Sequence, residues 1–226
     1  MRSFAGFAAA ILSIAVSASA SARDVKIGDV TFSVAPPPGY CEVDQAQKAD
    51  VGWLTSVTNL LNASNVTLIA AFPDCKELEA MRATNEFITT KILFTANTST
   101  LGKASAQAVV ATCRELKESG EKLTAEGKAK VEENVKKYSP NSLDQNQFLG
   151  VLEDNSPQVC YTGQYLKVTT SKGKESRMLD IFATSLVRNN IIFLYSFFPY
   201  VDGNSAKTGL TDIKVIYSNF VAANSR

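Results

Sequence analysis

The second half of the chain is dominated by segments in which apolar and polar residues alternate. Four such segments cover residues 148–152, 159–169, 177–187 and 190–198. A period of two is typical of β-strands. The turns at residues 171–174 and 188–190 are too short for a crossover, so the strands they join must be antiparallel, and Asn189 and Asn190 tolerate the positive φ of a tight turn. The sequence therefore predicts an antiparallel meander.

Residues 104–138 carry the clearest helical pattern. Apolar or small residues recur at gaps of three and four, close to the helix repeat of about 3.6: Val109, Cys113, Leu116, Gly120, Leu123, Gly127, Val131, Val135 and Tyr138. Gly120 and Gly127 lie on this stripe, which predicts that both approach the surface beneath the helix closely. The alternative is a break at Ser119 and Gly120 that divides the region into two helices.

The remaining segments complete the predicted fold. Residues 26–34 read as a hairpin or a bulged strand, and Asp44 is predicted to cap a helix that runs to Leu61 with Val51 on its apolar stripe. Further strands are predicted at 65–72 and 87–95, and further helices at 75–82 and 205–222. Together these elements predict one α+β domain over residues 23–226, an antiparallel sheet of at least five strands with helices packed on it.

The first 22 residues have the layout of a secretory signal peptide. Arg2 precedes an apolar run over residues 4–16, and two overlapping A-x-A sites end at Ala20 and Ala22. The run is shorter than the roughly 20 apolar residues of a membrane-spanning helix. We therefore expect cleavage after Ala20 or Ala22, a periplasmic or secreted protein, and no membrane insertion afterwards.

Four cysteines occur in the mature region, namely Cys41, Cys75, Cys113 and Cys160. An even number in an exported chain favours disulfides, with buried free thiols as the alternative. Of the three possible pairings we favour Cys41 with Cys75 and Cys113 with Cys160. The first two follow strand exits, where loops bring Cβ atoms close. Cys113 lies on the inward helix stripe and Cys160 opens a strand beneath it.

Composition excludes several functions. The chain has no histidine, so catalytic pairs, zinc sites and proton shuttles that need one are excluded. Loss of Arg2 on cleavage balances the charges, which argues against a nucleic-acid surface. A basic group in one loop reads as a solvated turn, with a local binding patch as the alternative: Lys167, Lys172, Lys174 and Arg177. We expect no cofactor and no metal site.

Three short matches to serine penicillin-binding enzymes are interpreted as coincidence. Ser171 to Lys174 gives S-x-x-K, Lys207 to Gly209 gives K-T-G, and Tyr217 to Asn219 gives Y-x-N. The first is predicted in a hairpin turn rather than at a helix start, and the last two are in the wrong order.

The aromatic segment near residue 195 has two interpretations. It contains Phe193, Tyr195, Phe197, Phe198 and Tyr200. The simpler interpretation is core on both faces of a covered strand, and the alternative is a ligand-facing wall with Tyr hydroxyls at its rim.

The order of elements resembles a PsbP-like α/β/α sandwich: a strand that ends in residues 34–40, a helix, strands, a long meander and a final helix. The chain is also similar to a group of exported proteins from rhizobia and their relatives. The residues that carry this second likeness are 39–41, 74–78, 148–152 and 159–161. The resemblance implies a fold and no catalytic signature.

Three hypotheses for function follow. The first is a non-catalytic binding or accessory module of the periplasm or cell envelope, which takes a small-molecule or protein ligand. The second is a histidine-free enzyme that uses carboxylate, Lys or Tyr groups. The third is a secreted interaction protein that faces the host or the envelope. The sequence favours the first, because no catalytic set is assembled.

Overall fold

The computed structural model describes residues 22–156 and 158–225, so the predicted signal peptide lies outside the described residues except for Ala22. The elements in chain order are β1 (Arg23–Ile27), β2 (Val30–Val34), α1 (Lys48–Asn62), β3 (Val66–Pro73), α2 (Cys75–Thr84), β4 (Lys91–Asn97), α3 (Ala106–Tyr138), β5 (Ser142–Ser156), β6 (Val159–Thr169), β7 (Glu175–Val187), β8 (Asn190–Pro199) and α4 (Ser205–Asn224). A short 3-10 turn at Thr98–Thr100 follows β4.

Strands β3 to β8 form an antiparallel six-stranded sheet in the order β3-β4-β8-β7-β6-β5. Strands β1 and β2 pair separately as a hairpin, one of the two outcomes predicted for residues 26–34. The turn between β7 and β8 places Arg188 and Asn189 at φ values of 50° and 57°, as a tight hairpin turn requires. The predicted α+β class, an antiparallel sheet with helices packed on it, is confirmed.

The sheet is covered on both faces. On β6, Val159 and Tyr161 point into the core beneath α4, where the rings of Tyr161 and Tyr217 lie 6.2 Å apart. Cys160 lies between them and points to the opposite face, where it is bonded to Cys113 of α3. Helix α1 packs against both α3 and β3 and therefore shares that second face.

The core beneath α4 is built from aromatic and branched side chains of the hairpin, the sheet and the helix. The ring of Phe94 lies 4.9 Å from that of Phe220, which also faces Phe32 at 6.3 Å. Asn224 at the end of α4 donates to the Ser33 carbonyl and accepts from the Ser33 N–H, both at 2.9 Å. These bonds fix the hairpin to the helix and close the α4 face of the sheet.

Helix α3 runs unbroken from residue 106 to residue 138, so the break proposed at Ser119 and Gly120 does not occur. Gly120 is buried, and a Cβ built on it would lie 2.2 Å from the Phe148 ring. Gly127 is half-buried, and a Cβ there would have no atom within 4 Å. Close approach is therefore confirmed at Gly120 and wrong at Gly127, because the surface beneath the helix falls away between the two positions.

The start of α1 differs from the prediction. Gln47, not Asp44, occupies the N-cap, and Asp44 instead donates its N–H to Asp50 Oδ2 at 2.8 Å. Asp50 is fully buried and accepts from Arg82 of α2 through Nε at 2.8 Å and Nη2 at 2.6 Å. Val51, which was placed on the apolar stripe, is 42% exposed. The inward face of α1 thus carries a charged link to α2.

Two disulfides, Cys41–Cys75 and Cys113–Cys160, are the pairs that the sequence favours. The first joins the loop after β2 to the start of α2, and backbone bonds from Cys41 to Pro73 and from Cys75 to Gly39 run beside it. The second links α3 to β6 across a buried contact. All four cysteines are bonded, so thiol chemistry has no group to use in this form of the protein.

Candidate functional site

Strand β8 divides its aromatic residues between the two faces of the sheet. Ile192 and Leu194 belong to the core beneath α4, and Phe198 packs against that core from the same side. The alternate residues Phe193, Tyr195 and Phe197 therefore point to the other face. Tyr200 lies beyond the strand, where it is 41% exposed and packs edge-on against Tyr165 at 5.6 Å. Core packing thus accounts for only part of this segment.

Phe193, Tyr195 and Phe197 form a continuous row, here called the aromatic face. Neighbouring ring centroids are 6.2 Å apart in both steps, and Phe182 of β7 adds a ring 5.5 Å from Tyr195. Helix α1 packs on β3, and α3 packs mainly on β5 with lesser contacts to β6 and β7, so β4 and β8 lie between the two helices. All three residues of the row keep solvent-accessible surface.

Lys91 stands at one end of the aromatic face. It is paired in register with Phe197, and its ammonium lies 4.4 Å from the centre of the Phe197 ring and 5.6 Å from that of Phe87. Nζ donates to the Ile88 carbonyl at 3.3 Å. Burial lowers the pKa of Lys91 to about 8, against the opposing effect of two nearby acids, Asp180 and Glu77.

Asp180 flanks Phe197 from the other side, on β7. Its exposed fraction is 4%, and Oδ1 has no hydrogen-bond partner among the described residues. Burial raises the pKa of Asp180 to about 8, although the charge of Lys91 acts in the opposite direction. A carboxyl group in this state is largely protonated at neutral pH and can donate a hydrogen bond.

Two further polar groups belong to the same face. Burial raises the pKa of Tyr195, and Asp180 adds to this effect, so the phenol stays protonated. Thr184 is paired in register with Phe193, and its buried Oγ1 has no hydrogen-bond partner among the described residues. The aromatic face therefore combines apolar area with two buried polar atoms, Asp180 Oδ1 and Thr184 Oγ1, that have no hydrogen-bond partner among the described residues.

The segment that leads into Lys91 is fixed by Glu77 of α2. One carboxylate oxygen accepts from the N–H groups of Thr89 and Thr90 at 2.6 Å and 2.8 Å, and the other accepts from their hydroxyls at 2.5 Å and 2.9 Å. Helix α2 is itself capped by Asp74, whose carboxylate accepts from the N–H groups of residues 76 and 77. Lys91 thus projects from a segment held in one conformation.

The short matches to penicillin-binding enzymes do not assemble a site. Ser171 is exposed in the turn between β6 and β7, whereas Lys207, Gly209 and Tyr217 all belong to α4. A Cβ on Gly209 would meet the Phe198 ring at 2.0 Å, which gives this glycine a packing role.

The basic group predicted near this turn is neutralised in part. Lys167 and Arg177 both contact Glu175, at 2.8 Å and 3.0 Å, and Lys172 lies 3.9 Å from Glu86. These residues therefore form a solvated turn with surface ion pairs rather than an unpaired basic patch.

Two shallow depressions lie along α3. One lies beside its first turns and is lined by Val110 and Arg114 among others, and the second is lined by residues 116–122 of α3 and 148–150 of β5. Their charged lining side chains face solvent, and neither contains a buried polar group without a partner. We therefore place the candidate site on the aromatic face.

The sequence analysis names the aromatic segment as a possible ligand-facing wall but does not include Lys91 or Asp180. A signal was present, because each is a charged residue within or beside an apolar strand, before Ile92 to Phe94 and between Leu179 and Ile181. Such residues are seldom buried without a partner. What the sequence did not contain is the pairing of β4, β8 and β7 that brings them to one place.

No known protein family matches the chain, and no curated protein matches it. Within residues 22–156 and 158–225, no helix is both long and apolar enough to cross a membrane. In the same part of the chain, no three Cys, Asp or Glu side chains come together as a metal ion would need.

Proposed function

We propose that the protein is an exported, non-catalytic binding module that takes a small organic ligand on the aromatic face. One observation carries this proposal. Asp180 is 4% exposed and its Oδ1 has no hydrogen-bond partner among the described residues. It is paired in register with Phe197, the last ring of a row of three that keep solvent-accessible surface. Ligand sites are mostly apolar surfaces with a few polar groups that fix orientation, which is the composition found here.

The energetics favour an occupant. A buried donor or acceptor without a partner costs about 1–3 kcal/mol, which a ligand recovers when it supplies the missing bond. Contact with the rings of Phe193, Tyr195 and Phe197 adds apolar burial at about 25 cal/mol per Å². The face lies on β8 between α1 and α3, which favours a small molecule over a macromolecule as its occupant.

Export is part of the proposal. The two disulfides fit an oxidising compartment, since such bonds persist outside the cytosol. The predicted signal peptide points to the same place, and the layers of helix, sheet and helix are compatible with the PsbP-like layout inferred from sequence. We propose a periplasmic or secreted location on these grounds.

Trp53 offers a direct test of binding. It is the only tryptophan in the chain and packs against Leu78, Met81 and Ile88, whose carbonyl accepts the bond from Lys91. Titration of the mature protein with phenylacetamide, a neutral aromatic probe, should change Trp53 fluorescence to saturation. Isothermal calorimetry should report the same affinity.

A matched pair of variants locates the site. Phe197→Ala removes a ring of the aromatic face, whereas Tyr200→Ala removes a ring that lies beyond it. We expect the first to weaken phenylacetamide binding at least about tenfold and the second to leave it unchanged. Equal affinities in both variants, with both folded by circular dichroism, would remove the site from this face.

The second hypothesis, a histidine-free enzyme, is favoured by the same cluster. Lys91, Asp180 and Tyr195 are the residue types that such chemistry needs, and a Lys with a lowered pKa can act as an amine nucleophile. Borohydride reduction in the presence of a small aldehyde, followed by peptide mapping, distinguishes the two. Selective labelling of Lys91, with turnover of the aldehyde, would favour the enzyme.

A further inference from the structure

The end of the aromatic face where Lys91 and Asp180 lie is richer in hydrogen-bond donors than in acceptors. The Lys91 ammonium has three protons, and the Ile88 carbonyl is the one acceptor that the structure gives it. Burial raises the pKa of Asp180 to about 8, which favours the protonated carboxyl group, an O–H donor on the other side of the Phe197 ring. Lys91, Phe197 and Asp180 are paired in register across β4, β8 and β7, so the three side chains lie side by side on one face of the sheet.

We infer that the ligand is a small organic monoanion, a carboxylate on an apolar body, whose carboxylate contacts Lys91 and Asp180 at the Phe197 end of the aromatic face. This inference rests on the proposed binding function and specifies its ligand. One carboxylate oxygen would accept from the ammonium and the other from the Asp180 carboxyl group. The apolar body would lie along Tyr195 and Phe193.

Charge complementarity argues for an anion and against the other classes. The groups that act on Lys91 are Asp180 from β7 and Glu77 from α2, and the oxygens of Glu77 are already bonded to Thr89 and Thr90. A cationic ligand would be repelled by the ammonium of Lys91 at this end of the aromatic face. A neutral alcohol or amide would leave one donor without a charged acceptor, and hydrogen bonds to charged groups are about twice as strong.

The test compares three probes of one shape, namely phenylacetate, phenylacetamide and phenethylamine. On the mature protein at pH 7 we expect phenylacetate to bind at least about tenfold more tightly than phenylacetamide, and phenethylamine to bind most weakly. Lys91→Met should abolish the difference between acid and amide while amide binding persists. Lys207→Met, which changes a Lys of α4 on the other face of the sheet, should leave both affinities unchanged.

A pH titration of the unaltered protein supplies a second measurement that needs no variant. Phenylacetate affinity should fall as the pH rises through about 8, because Lys91 and Asp180 both lose their protons there. Phenylacetamide affinity should stay constant over the same range.

The outcomes separate the two proposals. If phenylacetate and phenylacetamide bind equally well, or if phenylacetate binding does not depend on pH between 6 and about 9, the inference of an anionic ligand is wrong. The proposed binding function of the aromatic face is not affected by either result. If none of the probes binds, the proposed binding function falls and the anionic ligand falls with it. A tighter acid whose preference survives in Lys91→Met would place the anion elsewhere and also overturn the inference.

Discussion

Replacing Gly120 and Gly127 by alanine, one at a time, tests how α3 lies on the sheet. Both residues lie inside the same helix, so each substitution removes the same backbone cost of glycine, about 1 kcal/mol. The two positions differ in what the new methyl group meets. At Gly120 it would lie 2.2, 2.7 and 2.8 Å from three atoms of the Phe148 ring, whereas at Gly127 it meets no atom within 4 Å.

The contact at Gly120 should outweigh the gain in helix propensity. Phe148 is 9% exposed, so its ring must move within a packed site, which costs about 1–3 kcal/mol. We therefore expect Gly120→Ala to lower the free energy of unfolding by about 1 kcal/mol and Gly127→Ala to raise it by up to about 1 kcal/mol. For a chain of this length the two melting temperatures should differ by about 4–8 °C.

Urea unfolding followed by circular dichroism, with both disulfides intact, measures these changes. The two variants serve as each other's control, because both replace a glycine by alanine in the interior of the same helix. A Gly120→Ala protein at least as stable as the unaltered protein would refute the close contact between α3 and β5. A destabilised Gly127→Ala protein would show that the surface beneath that residue is closer than described.

Three further predictions concern buried polar groups and a disulfide. The pKa of Asp180 is about 8 in the folded protein and roughly 4 in the unfolded chain. The contribution of Asp180 to stability is therefore present below pH about 4 and is lost as the pH rises to about 8. Asp180→Asn should raise the melting temperature more at pH 8 than at pH 5. Arg82→Met leaves Asp50 buried without its partner and should lower the free energy of unfolding in urea by about 2–3 kcal/mol. This is the low end for a broken buried pair, because the Arg82 side chain is 33% exposed. A decrease of less than about 0.5 kcal/mol would contradict this prediction. Cys113→Ser should cost about 2–4 kcal/mol, and alkylation in denaturant followed by intact-mass analysis should find one new thiol, whereas finding none would contradict the bond to Cys160.

The meander was predictable because its signals are local. Period-two alternation and the turn at Arg188 and Asn189 act within a few residues, and the structure follows them closely from β6 to β8. Strand β5 was predicted over residues 148–152 and spans Ser142–Ser156 instead. Its register against β6 shifts at several points, one of them between Phe148 and Gly150. Each shift breaks the alternation by which a strand is recognised.

The ends of helices and the depth of contacts depend on tertiary structure. Asp44 has the side chain of an N-cap, yet its N–H is bonded to Asp50, which is itself fixed by Arg82 of α2. Gly127 has the spacing of an inward residue, but no neighbouring atom lies beneath it. In both cases the sequence pattern was present and a distant element decided the outcome.

The aromatic face could be predicted only in part. Period two along β8 separates Phe193, Tyr195 and Phe197 from the core beneath α4, and the sequence left a ligand-facing wall as one of two interpretations. That Lys91 and Asp180 flank this wall depends on β8 lying between β4 and β7, an order that no local pattern encodes.

Two other acids of the fold, Asp50 and Glu77, differ from Asp180 because both of their carboxylate oxygens accept hydrogen bonds. Asp50 is fully buried and accepts three hydrogen bonds, two of them from Arg82. Glu77 accepts four from Thr89 and Thr90. Asp180 is 4% exposed, more deeply buried than Glu77, but Oδ1 has no hydrogen-bond partner within residues 22–156 and 158–225. Because burial raises the pKa of Asp180 to about 8, we expect this acid to lower the stability of the fold at neutral pH, and this is the cost that Asp180→Asn should relieve.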